Sequence, residues 1–304
     1  MSSLEKNSYL VDIVDDGIRI DKFLTKYNPN ESRSSFKSYF EQGLVLVNGK
    51  KVKPSYLVHE NDTVEVGNLT IKNSDVEKEN IPLDIVYEDS DVLVVNKPSG
   101  MVVHPAFGHH EGTLVNALMY HCTDLSEING VIRAGIVHRI DKDTSGLLVV
   151  CKNDEAHKSL SNQLKMKTTT RKYIALVNGV IDHNYGKIVA PIGRDPKNRQ
   201  RQAVVAEGKE AVTHFKVLER FKDATLIECQ LETGRTHQIR VHMAYIGHPV
   251  IGDLLYGTRR AASPFGQYLH AKTLGFIHPK TNKYMEFTSE LPKEFEDMIL
   301  SLRK

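Results

Sequence analysis

The segment from Gly135 to Val150 places a cluster of polar side chains between two apolar runs. Ile136 and Val137 precede the cluster and Leu147 to Val150 follow it, and both runs have the composition of buried strands. The pattern predicts a loop that connects two core strands. Because such a loop is anchored at both ends and is rich in charge, it can hold a reactive carboxylate in a fixed position. The alternative is a solvated hairpin tip.

The polar cluster reads His-Arg-Ile-Asp from His138 to Asp141 and then Thr-Ser-Gly-Leu-Leu from Thr144 to Leu148. It resembles the signature of the RluA family of pseudouridine synthases, which has leucine where this chain has Ile140. The resemblance implies that Asp141 is the catalytic aspartate. In that role it attacks, or electrostatically steers, cleavage of a uridine's glycosidic bond so that the base can rotate and rejoin through carbon. The implied chemistry needs no metal, nucleotide or redox cofactor.

Arg139 lies within this motif, two residues before Asp141. A uridine stacked in RNA exposes its anomeric carbon only after it is flipped out of the stack. The resemblance implies that Arg139 fills the gap left behind, since a planar guanidinium can stack and contact phosphates. The alternative is a surface ion pair between Arg139 and Asp143.

A second segment, from Thr170 to Gly179, has the alternation of a strand and places Tyr173, Ala175 and Val177 on one face. Its Arg-Lys-Tyr sequence, from Arg171 to Tyr173, resembles the family's Lys-x-Tyr motif. The tyrosine of that motif stacks on the flipped base and can accept the sugar proton, and the resemblance implies the same role for Tyr173. The alternative is a core tyrosine whose hydroxyl bonds a neighbour.

The segment from Glu232 to Asp253 contains Ile239 and Met243 at i, i+4 spacing, which predicts a helix lying on the sheet. In the family an Ile-Arg pair of this motif meets the catalytic aspartate, so the resemblance implies this contact for Ile239 and Arg240. An arginine beside a partly buried aspartate favours the ionised form that the chemistry needs. Arg235 is the alternative partner of that ion pair and is otherwise assigned to phosphate or backbone contacts with the substrate.

Two further segments extend the resemblance along the chain. Val92 to Pro105 resembles the family's first motif, in which Pro98 predicts a turn after a strand. Tyr268 to Pro279 resembles the family's closing strand, where we expect His270 to be structural.

Rival chemistries fit the same residues less well. A glycosidase needs separate acid and base carboxylates, and nothing places a water between Asp141 and Asp143. The chain lacks a His-Glu-x-x-His motif and its 3 cysteines lie far apart, which disfavours a metal site. His138, Asp141 and Ser145 could be named a triad, but they share one short loop without a Gly-x-Ser-x-Gly turn.

The N-terminal part of the chain predicts a separate unit. Four residues share one face of a predicted first helix: Ile20, Phe23, Leu24 and Tyr27. A second helix is predicted from Ser32 to Gly43, a hairpin turn at Asn48 and Gly49, and a strand from Thr63 to Val66. Together these elements resemble the small S4-type RNA-binding module that is shared with a ribosomal small-subunit protein.

Three basic residues of this module are the candidate phosphate contacts: Arg19, Arg33 and Lys37. The alternative is a basic helix face that is only solvated. The polar stretch from Lys72 to Asn80 predicts a linker. We therefore expect the module at residues 1–75, the linker at 76–82 and the catalytic domain at 83–304.

Strands outnumber helices in the predicted catalytic domain. The predicted strands are Ile85–Val95, Ile136–Val150, Tyr173–Val177, Val212–Val217 and Thr225–Leu231. Helices are predicted from Thr113 to His121, from Asp154 to Leu164 and after Arg235. This mixture predicts an α+β fold with a mixed, largely antiparallel sheet and flanking helices, which is also the fold that the resemblance implies.

Composition is consistent with an intracellular enzyme that acts on RNA. The net charge of +2 does not by itself indicate a polyanion partner. No apolar run is long enough to span a bilayer, and scattered cysteines fit a reducing compartment, so we expect a cytoplasmic protein without a membrane partner.

The sequence is identified as a member of the RluA family, nearest its RluD-like branch because of the N-terminal module and the near-complete motifs. The resemblance implies an RNA pseudouridine synthase whose partner is large-subunit ribosomal RNA or a pre-ribosomal particle, with no small-molecule cofactor. The alternatives are a synthase directed at tRNA and a noncatalytic RNA-binding factor of ribosome assembly.

Overall fold

The structure is a computed structural model, and it describes residues 7–28, 36–67, 76–105, 111–198, 201–257, 263 and 265–304. The chain divides into two compact units, Met1–Asp75 and Val76–Lys304. Within the described ranges, no helix has the length and apolar character needed to cross a membrane.

In its described residues, the smaller unit combines two α-helices with a four-stranded antiparallel sheet in the order β1-β4-β2-β3. Its elements are β1 (Asn7–Leu10), α1 (Ile20–Tyr27), α2 (Phe36–Glu41), β2 (Val45–Val47), β3 (Lys50–Lys51) and β4 (Thr63–Val66). Asn48 and Gly49 join β2 to β3 with φ angles of 49° and 74°, the left-handed pair that a two-residue hairpin turn requires. The predicted turn and the predicted strand β4 are therefore confirmed.

Helix α1 buries most of the apolar face that the sequence predicts. Its fully buried side chains are Ile20, Phe23 and Leu24. Tyr27 differs, since its side chain is half-exposed and its hydroxyl donates to Asp15 at 2.6 Å. Helix α2 lies within the second predicted helix, whose predicted first residue, Ser32, is outside the described residues.

The larger unit is built on one long mixed sheet with the strand order β5-β6-β7-β14-β8-β13-β12-β9 and with β15 paired to β14. Its strands are β5 (Ile85–Glu88), β6 (Val92–Lys97), β7 (Ser145–Cys151), β8 (Thr170–Asn178), β9 (Tyr185–Val189), β12 (Val212–Arg220), β13 (Ala224–Leu231), β14 (Leu269–Ile277) and β15 (Tyr284–Thr288). A separate hairpin pairs β10 (Ile192–Arg194) with β11 (Gln202–Val204). The helices are α3 (Leu114–His121), α4 (Asp154–Lys165), α5 (Gln238–Tyr245) and α6 (Lys293–Leu302).

Among the described strands of this sheet, the pair β7 and β14 is parallel and the other pairs are antiparallel. The predicted α+β fold with a mixed, largely antiparallel sheet is confirmed. So are the three predicted helices, which are α3, α4 and α5.

The prediction of a strand at Ile136 and Val137 is wrong. Ile136 forms one isolated bridge with Val150, and regular strand begins only at Ser145, the start of β7. The reason is local, because the N–H of Val149 donates to Nε2 of the His138 ring at 3.1 Å. A side chain thus occupies the hydrogen-bonding position that a neighbouring strand would use.

The prediction of one strand from Ile85 to Val95 is also wrong, because β5 and β6 form an antiparallel hairpin there. The carboxylate of Asp89 accepts hydrogen bonds from the N–H groups of Asp91 and Val92 at 2.8 and 2.9 Å. An aspartate that binds the backbone two residues ahead favours a turn.

Strands β7 and β8 are buried on both faces, so their side chains alternate between two cores. Leu148 of β7 and Tyr173 of β8 face the core that also contains Ile239 of α5. Leu147 packs on the opposite face beside Leu160 of α4. Double burial explains why β7 is an uninterrupted apolar run, and it places Tyr173 and α5 on one side of the sheet.

Residues 76–82, which the sequence predicts as a linker, contact the larger unit. Val76 is buried in its core, and the backbone N–H of Glu79 donates to the carbonyl of Asn116 in α3 at 3.1 Å. This segment is therefore ordered against α3, and its contacts belong to the larger unit.

The parallel pairing of β7 with β14 predicts a strict requirement for glycine at position 146. A Cβ atom at Gly146, where φ is +111°, would lie 2.4 Å from the carbonyl oxygen of Ala271. We expect Gly146→Ala to lower the free energy of unfolding by about 2–4 kcal/mol, through combined backbone strain and overpacking. Denaturant unfolding followed by circular dichroism measures the change.

The matched control is Gly247→Ala. Gly247 has a similar φ of +87° but no heavy atom within 4 Å of the added Cβ. This variant should lose only the backbone contribution, about 1 kcal/mol. Equal losses in the two variants would show that the close approach of β7 to β14 is unimportant.

Candidate active site

Lys97, the last residue of β6, anchors the loop that carries Asp141. Its side chain is fully buried, and Nζ donates to the carbonyl oxygens of Pro98, Met101 and Lys142 at 2.7, 2.8 and 2.9 Å. The N–H of Gly100 donates to the same carbonyl of Lys142 at 3.0 Å. The turn after Pro98, which the sequence predicts, is thus bound to the loop next to Asp141.

The ammonium of Lys97 is held at an energetic cost. Burial lowers its pKa to about 7, against the opposing charges of Asp143 and Asp141. Three carbonyl acceptors match the three N–H donors of a charged lysine, so each hydrogen bond favours the protonated form. The backbone of the loop therefore solvates the ammonium form of Lys97, which is about half populated at pH 7.

Arg240 of α5 joins two carboxylates. Nη1 donates to Oδ2 of Asp141 at 2.8 Å, while Nε and Nη2 donate to the two oxygens of Asp253 at 2.6 and 2.9 Å. Burial alone would lower the pKa of Arg240, but the hydrogen bonds and charges of the two carboxylates raise it above its usual value. Arg240 therefore remains a cation beside Asp141 at every physiological pH.

Asp253 is the fixed end of this arrangement. Its side chain is fully buried, and Oδ1 also accepts the N–H groups of Leu255 and Tyr256 at 2.9 and 3.1 Å. Burial would raise the pKa of Asp253, but its bonds from Arg240 and from these N–H groups hold that pKa below its usual value. An ionised Asp253 orients the guanidinium of Arg240 toward Asp141.

His237 approaches the other oxygen of Asp141, with 3.8 Å between Nε2 and Oδ1. Its backbone is left-handed, with φ of 58°, immediately before α5. Nδ1 lies 2.9 Å from the hydroxyl of Tyr256, which accepts the N–H of Gln202 at 2.8 Å. The arrangement that satisfies all these groups has Tyr256 donating to Nδ1, so that Nε2 carries the proton of a neutral imidazole. Burial, against the charge of Asp141, lowers the pKa of His237 and favours this neutral form.

Tyr173 and Ile239 line the cavity into which Asp141 opens. The cavity has a volume of about 410 Å³, and both side chains are more than nine-tenths buried. Burial raises the pKa of Tyr173, with a further contribution from Asp141, so its hydroxyl is a neutral phenol at neutral pH. In the described part of the chain no residue hydrogen-bonds that hydroxyl, contrary to the expectation for a tethered core tyrosine.

Arg139 also lines the cavity, and its side chain is exposed. Its Nη1 donates to Nε2 of His104 at 3.2 Å. Burial, together with the charge of Arg139, lowers the pKa of His104 to about 4, so this imidazole is neutral and can accept the bond. Over the described ranges, no ion pair joins Arg139 to Asp143, which was the alternative for this arginine.

Arg235 does not form the ion pair for which it was the alternative candidate, because Arg240 holds Asp141. Nε of Arg235 donates instead to the carbonyl of Glu210 at 2.9 Å. The backbone N–H of Arg235 donates to the side chain of Gln238, which is also bonded to the carbonyl of Val212 in β12. These bonds fix the start of α5 and hence the position of Arg240.

The smaller unit gives less information on the phosphate-contact candidates. Arg19 pairs with Asp21 through two hydrogen bonds of 3.1 and 2.9 Å, and its side chain is about two-fifths exposed. Arg33 lies outside the described residues, and Lys37 lies in α2 with its side chain outside them. Asp21 thus engages two of the five N–H donors of Arg19.

Several residues of the site have no role in the sequence predictions: Lys97, Arg171, His237, Asp253 and Tyr256. The sequence does offer a reason to single out Asp253, because an acidic residue after a helical segment can pair with an arginine within that segment. The others carry no such signal, because their partners are brought together only by the fold.

Comparison with known proteins gives consistent matches. The family model for RNA pseudouridylate synthase matches residues 91–245, a range that contains Asp141, Tyr173 and Arg240, and the model for the S4 domain matches residues 18–64. The chain is 60% identical over 286 residues to the uncharacterized RNA pseudouridine synthase YlyB of Bacillus subtilis, with 94% of each chain covered. It is 43% identical over 301 residues to a protein of Pseudomonas aeruginosa named ribosomal large subunit pseudouridine synthase D, with 95% of this chain and 93% of that chain covered.

A similar match exists in Zymomonas mobilis, where a protein of the same name is 45% identical over 293 residues with 92% of each chain covered. Among solved structures, human RNA pseudouridylate synthase domain containing 1 superposes with a TM-score of 0.57 and 28% identity, covering 74% of this chain and 96% of that chain.

The lowered pKa of the buried Lys97 predicts a specific dependence of stability on pH. Since its folded-state pKa is about 7 and its usual value is 10.5, the unfolded chain binds more protons between these pH values. The contribution of Lys97 to the free energy of unfolding should therefore rise with pH across this window and be constant above it. Lys97→Met should lack the rise. Denaturant unfolding of both proteins through the window measures the difference.

Lys158→Met is the control, because it removes an exposed lysine of α4 and should leave the pH profile unchanged. The prediction fails if the free energy of unfolding of wild type falls relative to that of Lys97→Met as the pH rises. That result would show that the three carbonyls raise the pKa of Lys97 above its usual value.

Proposed function

The chain belongs to the RNA pseudouridylate synthase family, and we propose that it converts uridine to pseudouridine in large-subunit ribosomal RNA with Asp141 as the catalytic carboxylate. The observation that carries this proposal is the 2.8 Å hydrogen bond from Arg240 to Asp141 at the wall of a nucleotide-sized cavity. It supports an ionised carboxylate that is fixed in position, which is what cleavage of a glycosidic bond without a metal requires.

The two oxygens of Asp141 have different surroundings. Oδ2 accepts the bond from Arg240, whereas Oδ1 has His237 Nε2 at 3.8 Å, beyond hydrogen-bonding distance. We assign to Oδ1 the interaction with the anomeric carbon, either as a nucleophile or as the charge that stabilises a developing cation there. The proton on Nε2 keeps His237 from competing as a base.

The base is held by Tyr173 and Ile239. Stacking of uracil on the Tyr173 ring supplies affinity without demanding a particular hydrogen-bond pattern. A flipped nucleotide leaves a gap in the RNA that another group must fill. Arg139 is suited to this because its guanidinium is exposed at the cavity and donates a hydrogen bond to the neutral His104. Arg235 also lines the cavity, and we assign it to a phosphate contact.

The S4 domain adds a second RNA-binding surface, which favours a structured RNA substrate. Relatives from Pseudomonas aeruginosa and Zymomonas mobilis are named as large-subunit enzymes and cover nearly the whole chain. Both features support ribosomal RNA of the large subunit, free or in a pre-ribosomal particle, as the substrate. The reaction forms an isomer of its substrate and consumes no water or cofactor.

The experiment that tests this function compares cells lacking the gene with cells that express wild type, Asp141→Asn or Asp223→Asn. Asp223 is exposed on the turn between β12 and β13 and serves as the matched control. Carbodiimide-dependent stops of primer extension along ribosomal RNA and tRNA should appear in large-subunit RNA with wild type and Asp223→Asn only. Gene-dependent stops in tRNA would show that tRNA, and not large-subunit RNA, is the substrate. Stops restored by Asp141→Asn would refute the role of Asp141.

Purified Asp141→Asn should keep wild-type RNA affinity while its turnover falls by about 10⁴-fold or more, because the amide keeps the shape and loses the ionised oxygen.

Tyr173 has two separable roles, stacking and proton transfer. Tyr173→Phe should keep affinity for the substrate and lose rate, whereas Tyr173→Ala should also lose the stacking energy of about 1–3 kcal/mol. Single-turnover kinetics and binding isotherms of both variants measure the two effects, with the same substitutions at the exposed Tyr185 of β9 as controls. A native rate for Tyr173→Phe would exclude the proton-transfer role and leave stacking as the function of Tyr173. Native affinity and rate for Tyr173→Ala would exclude both roles and make Tyr173 a core residue.

A further inference from the structure

Arg171 is a buried cation in the wall of the catalytic cavity. It precedes Tyr173 by two residues on β8, so the alternation of the strand directs both side chains to the same side of the sheet. Only 8% of Arg171 is exposed. The guanidinium therefore lies buried in the cavity wall, on the side of the sheet that also carries the Tyr173 ring.

Arg171 lacks a protein partner within the described part of the chain. No hydrogen bond or ion pair to its guanidinium is found there, and Nε is buried without an acceptor. The other buried arginine of the site, Arg240, is balanced by Asp141 and Asp253. Since a buried charge without a partner is strongly destabilising, a ligand that brings negative charge into the cavity would satisfy Arg171.

The neighbouring groups cannot supply that charge. Burial and the charge of Arg171 lower the pKa of His138 to about 3, so this imidazole is neutral. Tyr173 is a neutral phenol because burial raises its pKa. Among the described residues, Arg171 thus faces the cavity without a directly bonded anion.

Gly234 leaves the space that the guanidinium occupies. A Cβ atom at position 234 would lie 2.6 Å from Nη1 of Arg171, so any larger residue would displace it. The backbone of the loop between β13 and α5 therefore passes close to Arg171 and fixes one side of the guanidinium.

Resting on the proposed function, we propose that Arg171 is the counter-charge of the departing uracil. When the N1–C1′ bond breaks, its electron pair stays on the base, which becomes a monoanion with charge on its carbonyl oxygens, while Asp141 balances the positive charge at C1′. Arg171 donates N–H bonds to a carbonyl oxygen of this anion. The ring then rotates, and the C5–C1′ bond forms with an electron pair of the anion, which leaves a neutral base that still carries its C5 proton. That proton is then lost to solvent while N1 takes up a proton from solvent, so the product is a neutral isomer of the substrate.

A role in binding a phosphate is the competing possibility for Arg171. Its depth favours the base instead, because Arg171 is more than nine-tenths buried beside Tyr173, whereas Arg139 is an exposed cation of the same cavity. A phosphate of the RNA backbone can be met by exposed arginines at the cavity mouth, but a charge that develops on the base must be met inside. Donors fixed at such a position act mainly in the transition state.

The test uses RNA that carries either uridine or 5-fluorouridine at the target position. Fluorine stabilises the uracil anion, so the fluorinated base depends less on a counter-charge when it leaves. Arg171→Met should reduce the single-turnover rate on uridine by about 100-fold, the effect of removing one such donor, with RNA affinity unchanged. The reduction on 5-fluorouridine should be several-fold smaller. Nucleoside analysis of digested RNA measures the loss of the N-glycoside in both substrates.

Two further variants make the test decisive. Arg171→Lys keeps the charge with fewer donors, so its rate on uridine should lie between the rates of wild type and Arg171→Met. Its loss of rate should again be smaller on 5-fluorouridine than on uridine. Arg171→Lys replaces Arg171→Met in the comparison if Arg171→Met does not fold. Lys158→Met removes an exposed charge and should behave as wild type on both substrates.

Equal loss of rate on uridine and 5-fluorouridine would overturn the proposal and make Arg171 structural. Loss of RNA affinity with an unchanged rate at saturation would overturn it in favour of a phosphate contact. Neither result affects the proposed function, which fails separately if the wild-type enzyme leaves the uridine of every RNA unchanged.

Discussion

The ion pair between Arg240 and Asp141 is the contact on which the rest of the site depends. It joins a helix to a loop 99 residues away in the chain, and Asp253 holds its other side. Removing two carboxylates and a guanidinium from water is costly, so the arrangement persists only because three charge-assisted hydrogen bonds satisfy the guanidinium. The cost is consistent with a functional role, since well-packed apolar residues would stabilise the fold at least as well.

The loop that carries Asp141 is fixed in a different way, by backbone carbonyls that surround the ammonium of Lys97. Strand β7 leaves the loop through Gly146, where close approach to Ala271 excludes any side chain. Asp141 is thus held at its side chain by Arg240 and through its neighbouring backbone by Lys97. In the proposed mechanism this fixed anion and Arg171 line the same cavity, so that opposite charges meet the two fragments of the substrate.

Local features of the fold could be predicted from the sequence. The Asn48-Gly49 turn, helix α1 and helices α3 to α5 follow from turn chemistry, caps and apolar spacing, which act over a few residues. The strand expected at Ile136 is absent because a side chain, His138, takes the hydrogen bond of Val149. Composition does not reveal that a side chain replaces a strand as the acceptor, since the same apolar residues are buried in both cases.

The sequence by itself determined the family motifs, the two-part organisation of α and β elements and the identities of Asp141, Tyr173, Ile239 and Arg240 as candidate site residues. Only the tertiary structure decided that Arg240 rather than Arg235 pairs with Asp141, that Asp253 orients Arg240, and that the basic side chains of Lys97 and Arg171 are buried. The reason is physical: hydrophobic periodicity and turn chemistry are local in the chain, whereas burial and the partners of a charge are set by segments that meet only when the sheet assembles.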